Sequence, residues 1–372
     1  MSLSNAIRVV QLFESYPLFY QPYIPPVIAA LGQEQNLELR INAFKGTADN
    51  GVKIIPSYYK RKFKEKCYAL RHTTKLNYAE IQYINQKVDV VHLQHSFLFP
   101  KVTGLLKLPK TQRPKIIITL RGGDTYVKPW VSEKWRKFYT EYGAKVDAFI
   151  TMSQHQKKYL HEKWGIAENK IHVIPISFGK AKTVQPKTPN KNVIKIVSVF
   201  RMCWEKNIDG NLRVIKELKE KGINVHYNIY GDGPDAGQVW YLTDKYNLQN
   251  CVTYHGKVDN SVIKEKLAQY DFFLQLSHSE ALPTSVIEAQ SFGLPAIVSD
   301  SGGLPEAILN GKSGYIVATH AAENAANAIN TLWNDDKKYK LFSETAIRYA
   351  HANFSVNIEV NKLIDLYQKI LS

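Results

Sequence analysis

Two carboxylates, Glu280 and Glu288, stand eight positions apart in the string HSEALPTSVIEAQSFGLPAIVSDSGGLPE, residues 278–306. An apolar run, Phe272 to Leu276, precedes them and reads as a strand. Pro283 then marks the start of a helix, because proline is tolerated where the first turn leaves its N–H groups unpaired. The N–H groups of Thr284, Ser285 and Val286 and the positive end of the helix dipole make a seat for a phosphate or another anion. Glu280 lies in the turn before that seat and Glu288 inside the helix, so one ligand across the helix start can meet both. Taken alone, acids near a helix start serve the dipole, and such a pair is more often structural. A second strand, Ala296 to Ser299, leads to a further expected helix start at Gly302-Gly303, with Glu306 in its first turn.

A second group able to do chemistry is Phe200-Arg201-Met202-Cys203-Trp204-Glu205-Lys206-Asn207. Arg201 and Lys206 sit on a strand-to-helix turn, where two cations can neutralise a diphosphate. In the other half two polar turns follow apolar runs, one around His92 to Ser96 and one reading Thr119-Leu120-Arg121-Gly122-Gly123-Asp124. Adjacent glycines let a backbone approach a ligand, although they equally make a tight turn.

These turns need a scaffold. In the N-terminal half strands are predicted at Ile7–Phe13, Leu37–Phe44, Val88–Leu93, Lys115–Leu120, Val146–Met152 and Ile171–Pro175. Helices are predicted at Pro26–Glu34, Tyr78–Gln86, Glu133–Tyr142 and Gln154–Trp164. The C-terminal half repeats the alternation with strands at Val193–Phe200, Ile223–Tyr230, Val252–Tyr254, Phe272–Leu276, Ala296–Ser299 and Tyr315–Val317, and a final helix runs from Val356 to Leu371. Alternating strands and helices mean parallel sheets covered by helices, which bind ligands at the turns after their strands. The Lys/Pro-rich segment 179–192 reads as a linker.

The 372 residues exceed what one core accommodates, so two domains are expected. No run reaches the ~18 to 20 apolar residues that span a bilayer, and no signal-peptide layout opens the chain, so a cytoplasmic protein is expected. The odd number of cysteines, three and without a CxxC pair, argues against a disulfide framework or a zinc site. Charge is unevenly spread: residues 1–180 hold 28 Lys and Arg against 13 Asp and Glu, and residues 181–372 hold 21 against 20. The first half therefore faces something anionic, or is simply well solvated. Within it, YYKRKFKEKCYAL, residues 58–70, carries Tyr59, Phe63, Cys67 and Leu70 at helical spacing and five basic residues from Lys60 to Lys66. That pattern fits a basic helix lying on an anionic membrane, and equally a buried apolar stripe with a solvated charged face. No nucleic-acid partner is expected, since no recognisable module surrounds these residues.

The string from Glu280 to Glu306 resembles the donor-site signature of retaining GT-B glycosyltransferases of the family 4 type. The resemblance extends over nearly the whole chain, with its specific motifs between residues 197 and 317. It implies two Rossmann-like α/β domains with a cleft between them: an acceptor-side domain (1–178), a linker (179–192), a nucleotide-sugar domain (193–355) and a C-terminal helix (356–372) crossing back towards the first. It implies transfer of a sugar from a nucleoside-diphosphate sugar to a saccharide or lipid-linked saccharide, with retention, as in bacterial surface-polysaccharide or glycolipid synthesis. Arg201 and Lys206 would hold the diphosphate, Glu280 the sugar hydroxyls and Glu288 the ribose. Leu282, Pro283, Thr284 and Ser285 would line the donor site, with Gly231 and Val258 in turns that cradle the nucleobase.

No cofactor and no metal are expected, because the sequence has no Asp-x-Asp and no histidine cluster with ligand spacing. The acceptor or sugar side would include His95, Arg121, Gly122 and Asp124. Where the family turn reads T-x-H-G-x-D, Arg121 replaces the histidine, and its charged fork suits a phosphate or carboxylate. The Asn-Gly pair usual after the first domain's last Ile-Pro is missing here, as is the usual glycine pair in the first turn, where Ser15–Pro22 stands. A GT-B epimerase, or a basic membrane- or nucleic-acid-binding protein with a vestigial sugar site, are the alternatives.

Overall fold

The computed structural model describes residues 6–17, 21–48, 51–56, 58–70, 72–180, 182–189 and 192–372. The turn Ser15–Pro22 and the segment 179–192 lie partly outside the described residues. The chain forms two compact units, residues 1–175 with 359–372, and residues 176–358. The segment expected as a linker is anchored on the second unit, where the Lys187 amide donates to Ser343 Oγ at 2.8 Å and the Lys187 ammonium to the Ala268 carbonyl at 2.7 Å.

The first unit holds seven parallel strands: β1 (Ile7–Ser15), β2 (Leu37–Lys45), β3 (Val52–Ile54), β4 (Val90–Leu93), β5 (Lys115–Thr119), β6 (Ala148–Thr151) and β7 (Ile171–Val173). Their order is β3-β2-β1-β4-β5-β6-β7. The inner strands are continuous buried runs, as a sheet covered on both faces requires: β4 is VVHL and β6 AFIT, every residue buried. Helices Glu133–Tyr142 and Gln154–Trp164 lie where their periodicity places them. The short strand β3 was not anticipated, because three residues behind Gly51 carry too little alternation to stand out.

The second unit holds β8 (Ile194–Val199), β9 (Val225–Tyr230), β10 (Val252–Gly256), β11 (Phe272–Gln275), β12 (Ala296–Ser299) and β13 (Gly314–Val317), ordered β10-β9-β8-β11-β12-β13 and all parallel. In each sheet the order reverses once, between β1 and β4 in the first and between β8 and β11 in the second. An open parallel sheet leaves a crevice beyond its carboxyl ends at such a reversal. The turns after β8 and β11 carry Lys206 and Glu280; the turn after β4 carries Gln94 and His95.

The basic stretch forms the helix Tyr58–Ala69, and its apolar residues are not buried: Tyr59 is 85%, Phe63 71% and Leu70 87% exposed. Of the two views of this helix, the buried stripe is therefore excluded. The helix is held instead by Glu65, whose carboxylate accepts the Tyr78 amide at 3.0 Å, and by Lys64, which stands 5.3 Å from the Tyr78 ring centre. Among the described residues no helix is long and apolar enough to cross a membrane.

Candidate functional site

The turn after β8 closes with a single 3-10 turn, Trp204–Lys206, and Asn207 in the left-handed region caps the helix Ile208–Glu220. This brings Lys206 over the turn that follows β11. Lys206 Nζ pairs with Glu280 Oε1, both side chains more than four-fifths buried. The same oxygen accepts from Gln275 Nε2 at 2.6 Å and Ser277 Oγ at 3.3 Å. Gln275 then receives Ser285 Oγ on its own oxygen at 3.2 Å. One buried glutamine at the end of β11 thus ties the cation, the carboxylate and the helix start together. Charge-assisted hydrogen bonds of this kind hold geometry tightly.

The helix runs from Thr284 to Ser291 with Pro283 at its cap, and no side chain caps it. Leu282 and Pro283 are buried, while Thr284 and Ser285 are half-exposed. Glu288 is buried; Lys264 Nζ pairs with it at 3.2 Å and Asn260 Nδ2 approaches its two oxygens at 3.4 and 3.3 Å. Burial pushes its pKa above the ordinary carboxylate value, with Lys264 and then Asn260 working against that push. Arg201 is exposed on the same turn as Lys206. Burial, and then Glu205, push the Cys203 thiol up to about 11 against the pull of Lys206 and Arg201, so it is neutral near pH 7.

Two glycine positions have a structural reason. The helix start expected at Gly302-Gly303 is a single 3-10 turn, Leu304–Ala307, capped by Gly303 with Glu306 in it. The pair also receives the backbone of Glu280. Gly302 has φ +59°, a Cβ there would lie 2.2 Å from the Glu280 carbonyl oxygen, and the Gly303 amide donates to that oxygen at 2.9 Å. Gly231, at φ +125°, interlocks two turns, since a Cβ would lie 1.9 Å from the Phe200 carbonyl oxygen. Val258 is half-exposed in the turn after β10.

In the first unit, Asp124 is buried and closes its own turn: it accepts the amides of Arg121 and Gly122, each at 3.1 Å, and the Ser96 hydroxyl. Arg121 donates to Gln94, the residue before His95. The sequence reading missed Gln275, Ser277, Lys264 and Asn260. A glutamine ending the apolar run Phe272-Phe273-Leu274 was a visible signal for the first; the others lie on loops and helix faces where polar residues are ordinary.

Two separate parallel sheets of Rossmann type, each with its polar turns at the reversal of strand order, define a GT-B fold. Anabaena Alr3699/HepE, solved in complex with UDP, shares it with a TM-score of 0.74 at 14% identity, over 98% of this chain and 100% of that one. The chain belongs to the glycosyltransferases: the model Glycosyltransferase Family 4 matches residues 27–176 and the model Glycosyl transferases group 1 matches residues 180–349. A 41.2 kDa protein of the cps region of Klebsiella pneumoniae is 28% identical over 301 residues, 76% of this chain and 79% of that protein. N-acetyl-alpha-D-glucosaminyl L-malate synthase of Bacillus anthracis is 27% identical over 318 residues, 77% of this chain and 76% of that protein. Other curated relatives match over a shorter stretch, and the chain spans 37% and 40% of the length of two of them.

Proposed function

We propose that the protein transfers a sugar, with retention at the anomeric carbon, from a nucleoside-diphosphate sugar bound by the second unit to a saccharide or lipid-linked saccharide. The observation that carries this reading is the buried link from Lys206 through Glu280 and Gln275 to Ser285. As the glycosidic bond to phosphate breaks, negative charge grows on the leaving diphosphate. Lys206, Arg201 and the amides at the start of Thr284–Ser291 are the groups that meet it, and such preorganised donors supply a large share of rate enhancement. Glu280 accepts hydrogen bonds from the sugar hydroxyls and Glu288 from the ribose, with Lys264 opposing the upward push of burial on Glu288. The UDP bound by the Anabaena neighbour supports a uridine donor.

The division between the two glutamates is open to calorimetry with UDP alone. A hydrogen bond to a charged group contributes about 1.5 to 3 kcal/mol, so Glu288→Gln weakens UDP by roughly tenfold or more. Glu280→Gln leaves UDP affinity nearly unchanged and lowers transfer. Equal losses in both variants contradict the assignment.

Because cations and amides of the chain stand where a metal would otherwise neutralise the diphosphate, turnover is expected to persist in excess EDTA. Complete loss restored by Mg²⁺ or Mn²⁺ rules this out.

For the acceptor we propose a lipid-linked saccharide of surface-polysaccharide or glycolipid assembly, reached from the cytoplasmic face of a membrane. The excess of 28 basic over 13 acidic residues in positions 1–180 and the exposed apolar side of Tyr58–Ala69 support this. An aromatic and aliphatic face flanked by lysines suits an anionic bilayer surface.

A further inference from the structure

The turns that end β4 and β5 hold donors, and one orphaned acceptor, that the donor chemistry does not use. Arg121 Nε donates to the Gln94 carbonyl oxygen at 3.2 Å, and Arg121 Nη2 to Gln94 Oε1 at 2.8 Å. The guanidinium stands 5.5 Å from the Tyr23 ring centre. Gln94 is held in turn: its Nε2 donates to Gln11 Oε1 at 2.8 Å, and Gln11 Nε2 donates to Tyr367 Oη at 2.9 Å. Tyr367 Oη meets His92 Nδ1 at 2.8 Å, and His92 Nε2 meets Thr119 Oγ1 at 2.7 Å. A buried chain of this kind fixes the fork before any ligand arrives. The acid of the turn, Asp124, is occupied by the Arg121 and Gly122 amides and the Ser96 hydroxyl rather than by the fork.

His95, next in sequence to Gln94, is 6% exposed. Its Nε2 faces Gln21 Oε1 at 2.6 Å, which assigns the N–H to Nε2 and leaves Nδ1 as an acceptor. Nδ1 is buried and meets no hydrogen-bond donor. Burial first, then Arg121 and Lys128, push this imidazole down to about 4, so the ring is neutral near pH 7. Lys128 Nζ stands 5.8 Å from the centre of the Phe97 ring, which stacks on His95 at 5.2 Å. A ligand hydroxyl is the group that would satisfy Nδ1.

We infer that Arg121 and His95 form a subsite for an acceptor carrying an anionic group, carboxylate or phosphate, close to a hydroxyl: with Nε and one Nη2 hydrogen given to Gln94, the Nη1–Nη2 edge of the guanidinium takes the anion, and Nδ1 accepts the hydroxyl. This rests on the reading that the first unit receives the acceptor. Saturation-transfer NMR on the full chain with UDP present, titrated with glucose, glucuronate and glucose 6-phosphate, tests it. The better of the two anionic sugars binds at least tenfold more tightly than glucose, and which one it is identifies the anion. Arg121→Gln brings both to the level of glucose without moving the affinity for glucose itself, which reports that the first unit survives, or the UDP affinity by calorimetry, which reports the second; Arg121→Lys, keeping charge but not the fork, falls between. His95→Gln weakens all three sugars by a similar factor. Equal binding of all three sugars, or a preference that survives Arg121→Gln, overturns the subsite, and unchanged affinities in His95→Gln remove His95 from it. Loss of all UDP binding in the parent chain with the anionic preference intact refutes the donor reading and leaves the subsite standing.

Discussion

Replacing Lys206 with Ala lowers kcat on the order of 10²-fold or more, as removal of a preorganised oxyanion donor does. Lys206 is a partly buried ammonium paired with Glu280. On the proposed reading its loss removes a cation from the diphosphate, and among the described residues it leaves the carboxylate Gln275 and Ser277 as donors. Both effects raise the barrier. On the proposed reading Arg201, exposed on the same turn, supplies the second charge, and Arg201→Ala has a similar effect. Single-turnover rates with a UDP-sugar library measure both. If the double variant turns over near the parent rate, the diphosphate lies elsewhere.

Changing Lys60, Arg61, Lys62 and Lys64 together to Gln abolishes binding to anionic vesicles. Each basic residue near an anionic leaflet contributes roughly 1 kcal/mol, so four of them amount to a loss of about 10³-fold in partition. Exposed Tyr59, Phe63 and Leu70 would sit at headgroup level, where aromatic rings are favoured, and they make the binding more than purely electrostatic. Screening still weakens it steeply at high salt. Flotation with vesicles of neutral and of anionic lipid gives the result; a Gln variant that floats as well as the parent, or no dependence on lipid charge, means the face is only solvated.

The parallel sheets were legible because buried strands are long apolar runs, and the turns after β8 and β11 because a cation pair and two glutamates punctuate them. What could not be read was which polar residue engages which. Nothing in Gln275 or Lys264 as letters says that one bridges Glu280 to Ser285 and the other neutralises Glu288, since those contacts join segments far apart in sequence or on different elements. Gly302-Gly303 was half legible for a related reason. Glycines beside an acidic residue mark helix starts and close backbone approaches alike, and the position of the Glu280 carbonyl shows that this pair does both. The exposed stripe of Tyr58–Ala69 shows the limit of periodicity, which reports that a helix has an apolar side but not which way that side points.

Tyr367 completes the polar chain of the first unit from the far end of the polypeptide, 356 residues beyond Gln11. On a translating ribosome the first unit is therefore incomplete when its seven strands have emerged. Gln11, Gln94 and His92 must wait, partly unsatisfied, while the whole second unit is synthesised. That gives a nascent chain stalled near residue 175 an incompletely paired interior, whereas one stalled near residue 358 already holds every residue of the second unit. The unit whose synthesis begins first is thus the one whose residues are completed last.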